Sequence, residues 1–242
     1  MKSYLEYSRS PWFSFLLAVP LLVLYQTMVV IGNLGQPHTV INGADGMVQG
    51  ALQMVGIQGW LGSWVVLALV TGVLVFRRDR AHSLQPVKRE YFGMALVEST
   101  IYALGFGTVV AVLTSLILPG GLLLQIGGGQ LNVGQRLAAS LGAGLYEELV
   151  FRLFLTGGMI WVFRKLQWKE GPALTTAVLA SSFIFSLVHY VGPLGDPFQI
   201  PSFTFRFVAG VVLTVLYALR GFGIAAWTHA LYDVFLVALN KA

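Results

Sequence analysis

The residues best suited to chemistry lie inside long apolar stretches of the chain, where charged side chains are rare. Glu147, Glu148 and Arg152 share one such stretch, and Glu148 precedes Arg152 by four residues. On a helix this spacing puts Glu148 and Arg152 on one face, where they can form an ion pair. Glu147 lies about 100° further round the helix and stays free to act as a general base. A packing ion pair beside a buried acid is the alternative interpretation.

Two of the four histidines also occupy apolar stretches. His189 lies near the end of one, and His229 lies inside another, with Asp233 one helical turn further on. Asp233 can accept a hydrogen bond from the His229 imidazole and so fix its tautomer. A lone histidine in such a stretch is more often structural. Here carboxylates, imidazoles and an arginine from three predicted helices occur together, and in a chain with so few charges this combination is hard to explain as packing.

Three short motifs carry these residues in order along the chain: Glu147-Glu148-x-x-x-Arg152, Phe185-x-x-x-His189 and His229-x-x-x-Asp233. In this combination the sequence resembles the CPBP family of CAAX protease and bacteriocin-processing-like membrane proteins, which is related to the type II CAAX prenyl endopeptidases. The resemblance implies an all-helical membrane fold whose site is buried in a cavity among the later helices.

The resemblance also implies a role for each motif residue. Glu147 activates a water molecule, and His189 helps to bind or orient that water. His229 and the residue at position 233 stabilise the oxyanion that forms on the peptide carbonyl. Glu148 and Arg152 are supporting residues, with Arg152 holding Glu148 so that Glu147 stays correctly placed.

Asp233 departs from the family pattern, because the prenyl-protease members carry Asn at this position. An ionised Asp has no proton to donate to an oxyanion and repels it. Asp233 is therefore protonated, or it orients His229, or it ligates a metal. We favour the role of orienting His229.

A divalent metal, zinc above all, is the cofactor to consider. Glu147, His189 and His229 could supply the three protein ligands of a catalytic zinc site. The sequence has no His-Glu-x-x-His motif, which excludes the zincin arrangement as a local motif. The absence of cysteine excludes thiolate nucleophiles and Cys-ligated zinc. We favour a metal-independent glutamate mechanism.

The composition is that of a membrane protein. Of 242 residues, 56% are hydrophobic and 10% charged, against roughly 25% charged residues in ordinary globular proteins. Apolar runs of about 20 residues are long enough to cross a hydrocarbon core of about 30 Å. The sequence therefore predicts an all-α polytopic protein that forms a single transmembrane domain over residues 1–242, with the family core at about 134–240. The predicted spans are 11–32, 59–76, 91–118, 134–163, 172–191, 203–219 and 222–240.

The number of spans is seven, or eight if the short apolar segment 46–57 also crosses the membrane rather than lying in the interface. Eleven of the fifteen Lys and Arg residues lie in the N-terminal segment, in the 77–90 and 164–171 loops, and at Arg220. With seven spans these four segments share one side of the membrane. Because cytoplasmic loops are enriched in Lys and Arg, we predict a cytoplasmic N-terminus in a prokaryotic plasma membrane.

In a simple bundle of spans the site residues would lie at different depths in the membrane. Glu147 and His189 lie about 17–18 residues from the 164–171 loop, whereas His229 lies only about nine residues past Arg220. At 1.5 Å per residue these heights disagree. Either the 220–222 turn is sunk into the bundle or the long helices project beyond the membrane.

The predicted function is an intramembrane endopeptidase that cuts a membrane-anchored protein or peptide, with no nucleic-acid partner. A non-proteolytic scaffold or bacteriocin-immunity protein of the same family is the first alternative. A proton-coupled transporter is the second, because intramembrane Glu, His and Asp also form proton relays. The sequence shows no inverted repeat, which argues against a transporter. Arg206 and Arg136 are interpreted as snorkelling residues at span ends.

Overall fold

The computed structural model describes residues 4–57, 60–118, 131–192 and 195–239. Within these ranges every regular element is a helix, and the all-helical fold predicted from the sequence is confirmed. The elements are α1 Tyr4–Ser8, α2 Pro11–Asn33, α3 Gly43–Met54, α4 Trp60–Arg78, α5 Arg80–Ser83, α6 Arg89–Ile117, α7 Val133–Gly142, a π-helical segment Ala143–Thr156, α8 Gly157–Lys165, α9 Glu170–Val188, α10 Ile200–Arg220 and α11 Phe222–Leu239.

Five of the described helices, α2, α6, α9, α10 and α11, are long and apolar enough to cross a membrane. The two other predicted spans coincide with α4 and with the unbroken helical stretch formed by α7, the π-helical segment and α8. The protein is therefore a polytopic membrane protein. Helix α3 has 12 residues, too few to cross a hydrocarbon core of about 30 Å. The predicted boundaries at residues 59 and 240, and most of the 119–133 loop, lie outside the described residues.

Polar side chains fix where several helices begin. The Ser10 hydroxyl accepts a hydrogen bond from the Phe13 backbone N–H at 3.1 Å, and Pro11 occupies the first helical position of α2. Asn132 and Gln135 form a reciprocal capping box at the start of α7. The Asn132 side chain also donates to the Gly32 carbonyl oxygen at 2.9 Å, so the start of α7 is joined to the end of α2.

Helix α11 is the central helix of the bundle and carries His229. It packs against α2, α6, α7, α10 and the π-helical segment. Its approach to the π-helical segment depends on Gly144, where a Cβ atom would lie 2.4 Å from the Ala226 carbonyl oxygen and 2.5 Å from the Ala230 Cβ. Small residues allow such close contacts between membrane helices. This contact holds the glutamate-bearing segment against the histidine-bearing helix.

Gly144→Ala is expected to destabilise the protein by about 3 kcal/mol, because the added methyl group overlaps the α11 backbone. The expected result is a lower midpoint of thermal unfolding in detergent. Gly158→Ala is the matched control, since it lies in the same helical stretch and a Cβ there meets no atom within 4 Å. Equal melting temperatures for the two variants would contradict the assigned contact.

The turn between α10 and α11 lies inside the protein. Arg220 is 5% exposed, and it donates hydrogen bonds to Glu98 Oε2 at 2.8 Å and to the Ser8 hydroxyl at 2.9 Å. Gly221 has a φ of +83°, and a Cβ there would lie 3.1 Å from the Ser14 hydroxyl. The N-terminal segment therefore covers the turn. This supports a 220–222 turn that is sunk into the bundle, which would bring His229 to the depth of Glu147 and His189. Because Arg220 is buried, it no longer counts among the surface charges that indicate the orientation in the membrane.

Candidate active site

The two glutamates lie on the 14-residue π-helical segment. Such helices are rare and occur mostly as single turns, frequently at functional sites. The Thr156 hydroxyl donates to the Phe151 carbonyl oxygen five residues earlier, at 2.7 Å. The segment directs Glu148 towards α11 and leaves Glu147 facing a cavity.

Glu148 is the centre of a buried network. Its Oε1 lies 2.8 Å from His229 Nδ1 and 3.2 Å from Arg152 Nη1, and its side chain is fully buried. The Arg152 guanidinium lies 4.3 Å from the centre of the Phe185 ring, and it approaches the Gly210 carbonyl oxygen at 3.5 Å. The ion pair predicted from the four-residue spacing is therefore present. Glu148 also binds His229, a contact that the sequence did not reveal.

Glu147 has one oxygen bound and one oxygen available. Oε1 accepts a hydrogen bond from the Asn42 side-chain amide at 3.1 Å. Oε2 lies 4.0 Å from His189 Nε2 and 3.9 Å from His229 Nε2. These separations are too long for direct hydrogen bonds, but a water molecule at about 2.8 Å from Oε2 and from either nitrogen could bridge the pair. The arrangement is suited to holding one water against a carboxylate.

In both histidines Nδ1 forms a hydrogen bond on the side away from the cavity, and this bond orients Nε2 towards Glu147. His189 Nδ1 lies 2.7 Å from the Phe185 carbonyl oxygen, which only accepts, so Nδ1 carries the proton. His189 Nε2 faces Glu147. His229 Nδ1 donates to Glu148, and its Nε2 also faces Glu147. Both rings are thus oriented by bonds on the side away from the cavity.

Asp233 lies beside His229 without bonding to it directly. Its Oδ2 is 3.7 Å from His229 Nε2, beyond hydrogen-bond distance. The hydrogen-bond acceptor that orients His229 is Glu148 rather than Asp233.

These side chains open onto a cavity of about 270 Å³ among α6, α9, α10, α11 and the π-helical segment. The lining residues are Phe106, Glu147, Phe185, His189, Ser202, Phe205, Arg206, Ala209, Leu213, His229, Tyr232, Asp233 and Leu236. The structure thus brings Glu147, His189, His229 and Asp233 to one cavity wall, and it places Glu148 and Arg152 behind them.

Arg206 corrects one interpretation made from the sequence. Rather than snorkelling at a span end, its guanidinium pairs with Asp196 at 2.5 Å and donates to the Ser202 hydroxyl at 3.2 Å. It also lies 5.1 Å from the centre of the Tyr190 ring, and it lines the cavity. Arg206 therefore supplies positive charge at the edge of the cavity.

Asn42 is the residue that sequence analysis missed altogether. Its side-chain oxygen accepts from the Ala44 N–H at 2.9 Å as the N-cap of α3, and its amide nitrogen donates to Glu147. Its backbone N–H donates to the Tyr25 hydroxyl at 3.3 Å, and that hydroxyl donates to Asp45. An Asn before a helix is a recognisable cap signal. Its contact with a glutamate 105 residues away is a tertiary property.

The distances between Glu147, His189 and His229 also bear on whether these side chains could hold a metal ion. In the described residues no group of three or more His, Cys, Asp or Glu side chains is placed to hold a metal ion. Zinc bonds of about 2.0–2.1 Å in a tetrahedron bring ligand atoms within about 3.4 Å of one another. The separations of 3.9 and 4.0 Å from Glu147 to the two histidines are longer. Glu147, His189 and His229 as arranged fit a water better than zinc.

Comparison with known proteins gives one match. Residues 129–235 match a family model described as type II CAAX prenyl endopeptidase Rce1-like. This range contains all three motifs and leaves Asn42 outside. Neither a curated protein nor a solved structure matches the chain.

Proposed function

We propose that this chain, whose residues 129–235 match the Rce1-like family model, is an intramembrane endopeptidase that hydrolyses a membrane-associated protein or peptide. One observation carries the proposal. A single oxygen of a carboxylate whose side chain is 13% exposed, Glu147 Oε2, faces two imidazole nitrogens at 3.9 and 4.0 Å in a cavity of about 270 Å³. This is an arrangement in which water can be held, deprotonated and aimed at a carbonyl.

Glu147 is the general base of the proposed reaction. Asn42 occupies Oε1, which leaves Oε2 to take a proton from the water. The other O–H group of the water donates a hydrogen bond to Nε2 of His189, which accepts it when the ring is neutral. The water oxygen then forms a bond to the carbonyl carbon of the substrate, and the carbonyl oxygen becomes an oxyanion.

His229 is the proposed oxyanion-stabilising group. Glu148 accepts from its Nδ1 at 2.8 Å, and Asp233 lies 3.7 Å from its Nε2, so both carboxylates favour a positively charged ring. The charged ring donates from Nε2 to the oxyanion, where a fixed donor in a buried site is most effective. Glu147 then returns its proton to the amide nitrogen as the C–N bond breaks.

The bilayer is the proposed route of the substrate. A site buried among membrane helices receives a membrane-anchored protein or peptide. The proposed location is a prokaryotic plasma membrane, and the basic loops support a cytoplasmic N-terminus there. No nucleic acid is part of the proposal.

Hydrolysis in water labelled with oxygen-18 tests the proposal. The protein in nanodiscs is incubated with membrane proteins of its host, and new carboxyl termini are analysed by mass spectrometry. We expect one labelled oxygen per new terminus, and cleavage that persists in a strong chelator. Loss of cleavage with chelator would replace the glutamate mechanism with a metal-dependent one. No new termini, with a folded protein and its substrate present, would favour a scaffold or immunity role, and proton flux in liposomes would favour a transporter.

Asn42→Ala is expected to lower kcat by about tenfold or more with little change in KM, because Glu147 loses a hydrogen bond that fixes it. Asn132→Ala is the matched control, since Asn132 is also a helix N-cap but its side-chain amide donates to Gly32 rather than to Glu147. Both variants should lose about 1 kcal/mol of stability. Equal kcat values for the two variants would remove Asn42 from the site.

A further inference from the structure

A second cavity, separate from the candidate active site, lies on the other side of the π-helical segment. This apolar groove of about 410 Å³ runs between α2, α4 and the π-helical segment, and residues such as Ala18, Leu22, Leu67, Leu149 and Leu153 line it. Tyr146 lines the groove, whereas the next residue, Glu147, lines the active-site cavity. Among the described residues the two cavities share no side chain.

The length of the groove matches one leaflet of a membrane. It runs along α2 from Pro11 to Leu22, and along α4 from Trp64 to Val75. At 1.5 Å per residue each wall is about 16 Å long, and half of a bilayer's hydrocarbon core is about 15 Å. The groove can therefore hold an extended acyl chain from the membrane surface to the midplane.

The chemistry of the groove favours a hydrocarbon chain over a peptide. A peptide strand or loop in a membrane needs hydrogen-bond partners for its backbone, and the groove walls are almost entirely apolar. An acyl chain needs no such partners. Its contacts with leucine and alanine side chains are those that it makes with other lipid tails.

Positive charge marks the surface end of the groove. Arg9 lines this end beside Pro11, and Arg78 follows the lining residue Val75 by three positions on α4, on the same face of the helix. Both arginines are exposed. Neither forms a salt bridge with any described residue of the chain. Unpaired basic side chains at a membrane surface attract anionic lipid headgroups.

We propose that this groove binds one acyl chain of an anionic phospholipid, whose phosphate is held by Arg9 and Arg78. The site is independent of the peptidase chemistry, because it shares no lining residue with the active-site cavity in the described part of the chain. If the protein does not hydrolyse peptides, the lipid site is unaffected. If the groove does not bind lipid, the proposed hydrolysis is unaffected.

Native mass spectrometry tests the site directly. The detergent-purified protein is exposed to equal amounts of dioleoyl-phosphatidylglycerol and dioleoyl-phosphatidylcholine, and the retained lipid is measured. We expect preferential retention of phosphatidylglycerol. Arg9→Gln and Arg78→Gln should each weaken its binding by roughly fivefold, the effect of one basic residue near an anionic headgroup. Arg164→Gln is the control, because Arg164 is another exposed arginine that pairs with Glu170 and does not line the groove, and it should retain wild-type binding.

A groove-filling variant protects the test against effects on folding. Ala218 is exposed and lines the groove, so Ala218→Trp adds bulk there without disturbing a buried contact. It should abolish retention of phosphatidylglycerol while thermal melts stay unchanged. The proposal would be overturned if the wild type retained the two lipids equally or retained neither. It would also be overturned if Arg9→Gln, Arg78→Gln and Ala218→Trp all left the binding unaltered.

Discussion

Glu147→Gln is expected to lower kcat by about 10²–10⁴-fold, the usual contribution of a general base. The amide keeps the shape of the side chain and an oxygen that can accept from Asn42, but it cannot take a proton from water. Because the neutral side chain is also easier to bury, the midpoint of thermal unfolding should not fall. Cleavage rates in nanodiscs, measured beside melting curves, check both statements.

The control for this variant is Glu170→Gln. Glu170 has a side chain that is 83% exposed, and it pairs with Arg164 at the start of α9, so the same chemical change occurs far from the cavity. Its kcat should equal that of the wild type. A Glu147→Gln protein that cleaves at the wild-type rate would show that Glu147 is not the base.

Arg152→Met is expected to lower the free energy of unfolding by about 3–5 kcal/mol, the usual result of removing one partner of a buried ion pair. Glu148 is fully buried, and Arg152 is its only charged partner besides His229 among the described residues. Methionine keeps much of the arginine's apolar length, so the loss should come from charge rather than from a void. Unfolding curves in detergent check this prediction.

A double variant separates charge from packing at this site. If Arg152 serves to neutralise Glu148, then Glu148→Gln/Arg152→Met should recover most of the lost stability, because the carboxylate that lost its partner is also removed. Arg164→Met, at an exposed pair, should change the stability by less than about 1 kcal/mol. Arg152→Met melting together with the wild type would show that the buried pair contributes nothing.

Helix positions were predictable because the membrane imposes a simple rule on the sequence. A span needs about 20 apolar residues, and each of the seven predicted spans coincides with helical structure in the described residues. The candidate site was predictable for a related reason. Charge is costly inside a span, so Glu147, Glu148, Arg152 and His229 indicated a buried site before any contact was known.

The contacts within the site were not predictable, because they join residues that are distant in sequence. His229 bonds to Glu148, 81 residues away, rather than to Asp233, one turn away. Local spacing favoured the neighbour, whereas the Gly144 contact with α11 brings Glu148 closer. The π-helical segment has no sequence signal that we could use. Arg206 resembled a snorkelling residue because its partner Asp196 lies across a turn.

If Glu147 is the general base of a protease, cleavage of membrane proteins must depend on it, and N-terminal peptide mapping can show whether it does. Wild type and Glu147→Gln are reconstituted separately in bilayers with the membrane proteins of the host, and new N-termini are identified by mass spectrometry. We predict a set of cleavage sites that appears with the wild type and is missing with Glu147→Gln. Identical sets of peptides from the two proteins, both shown to be folded by their melting curves, would contradict the claim.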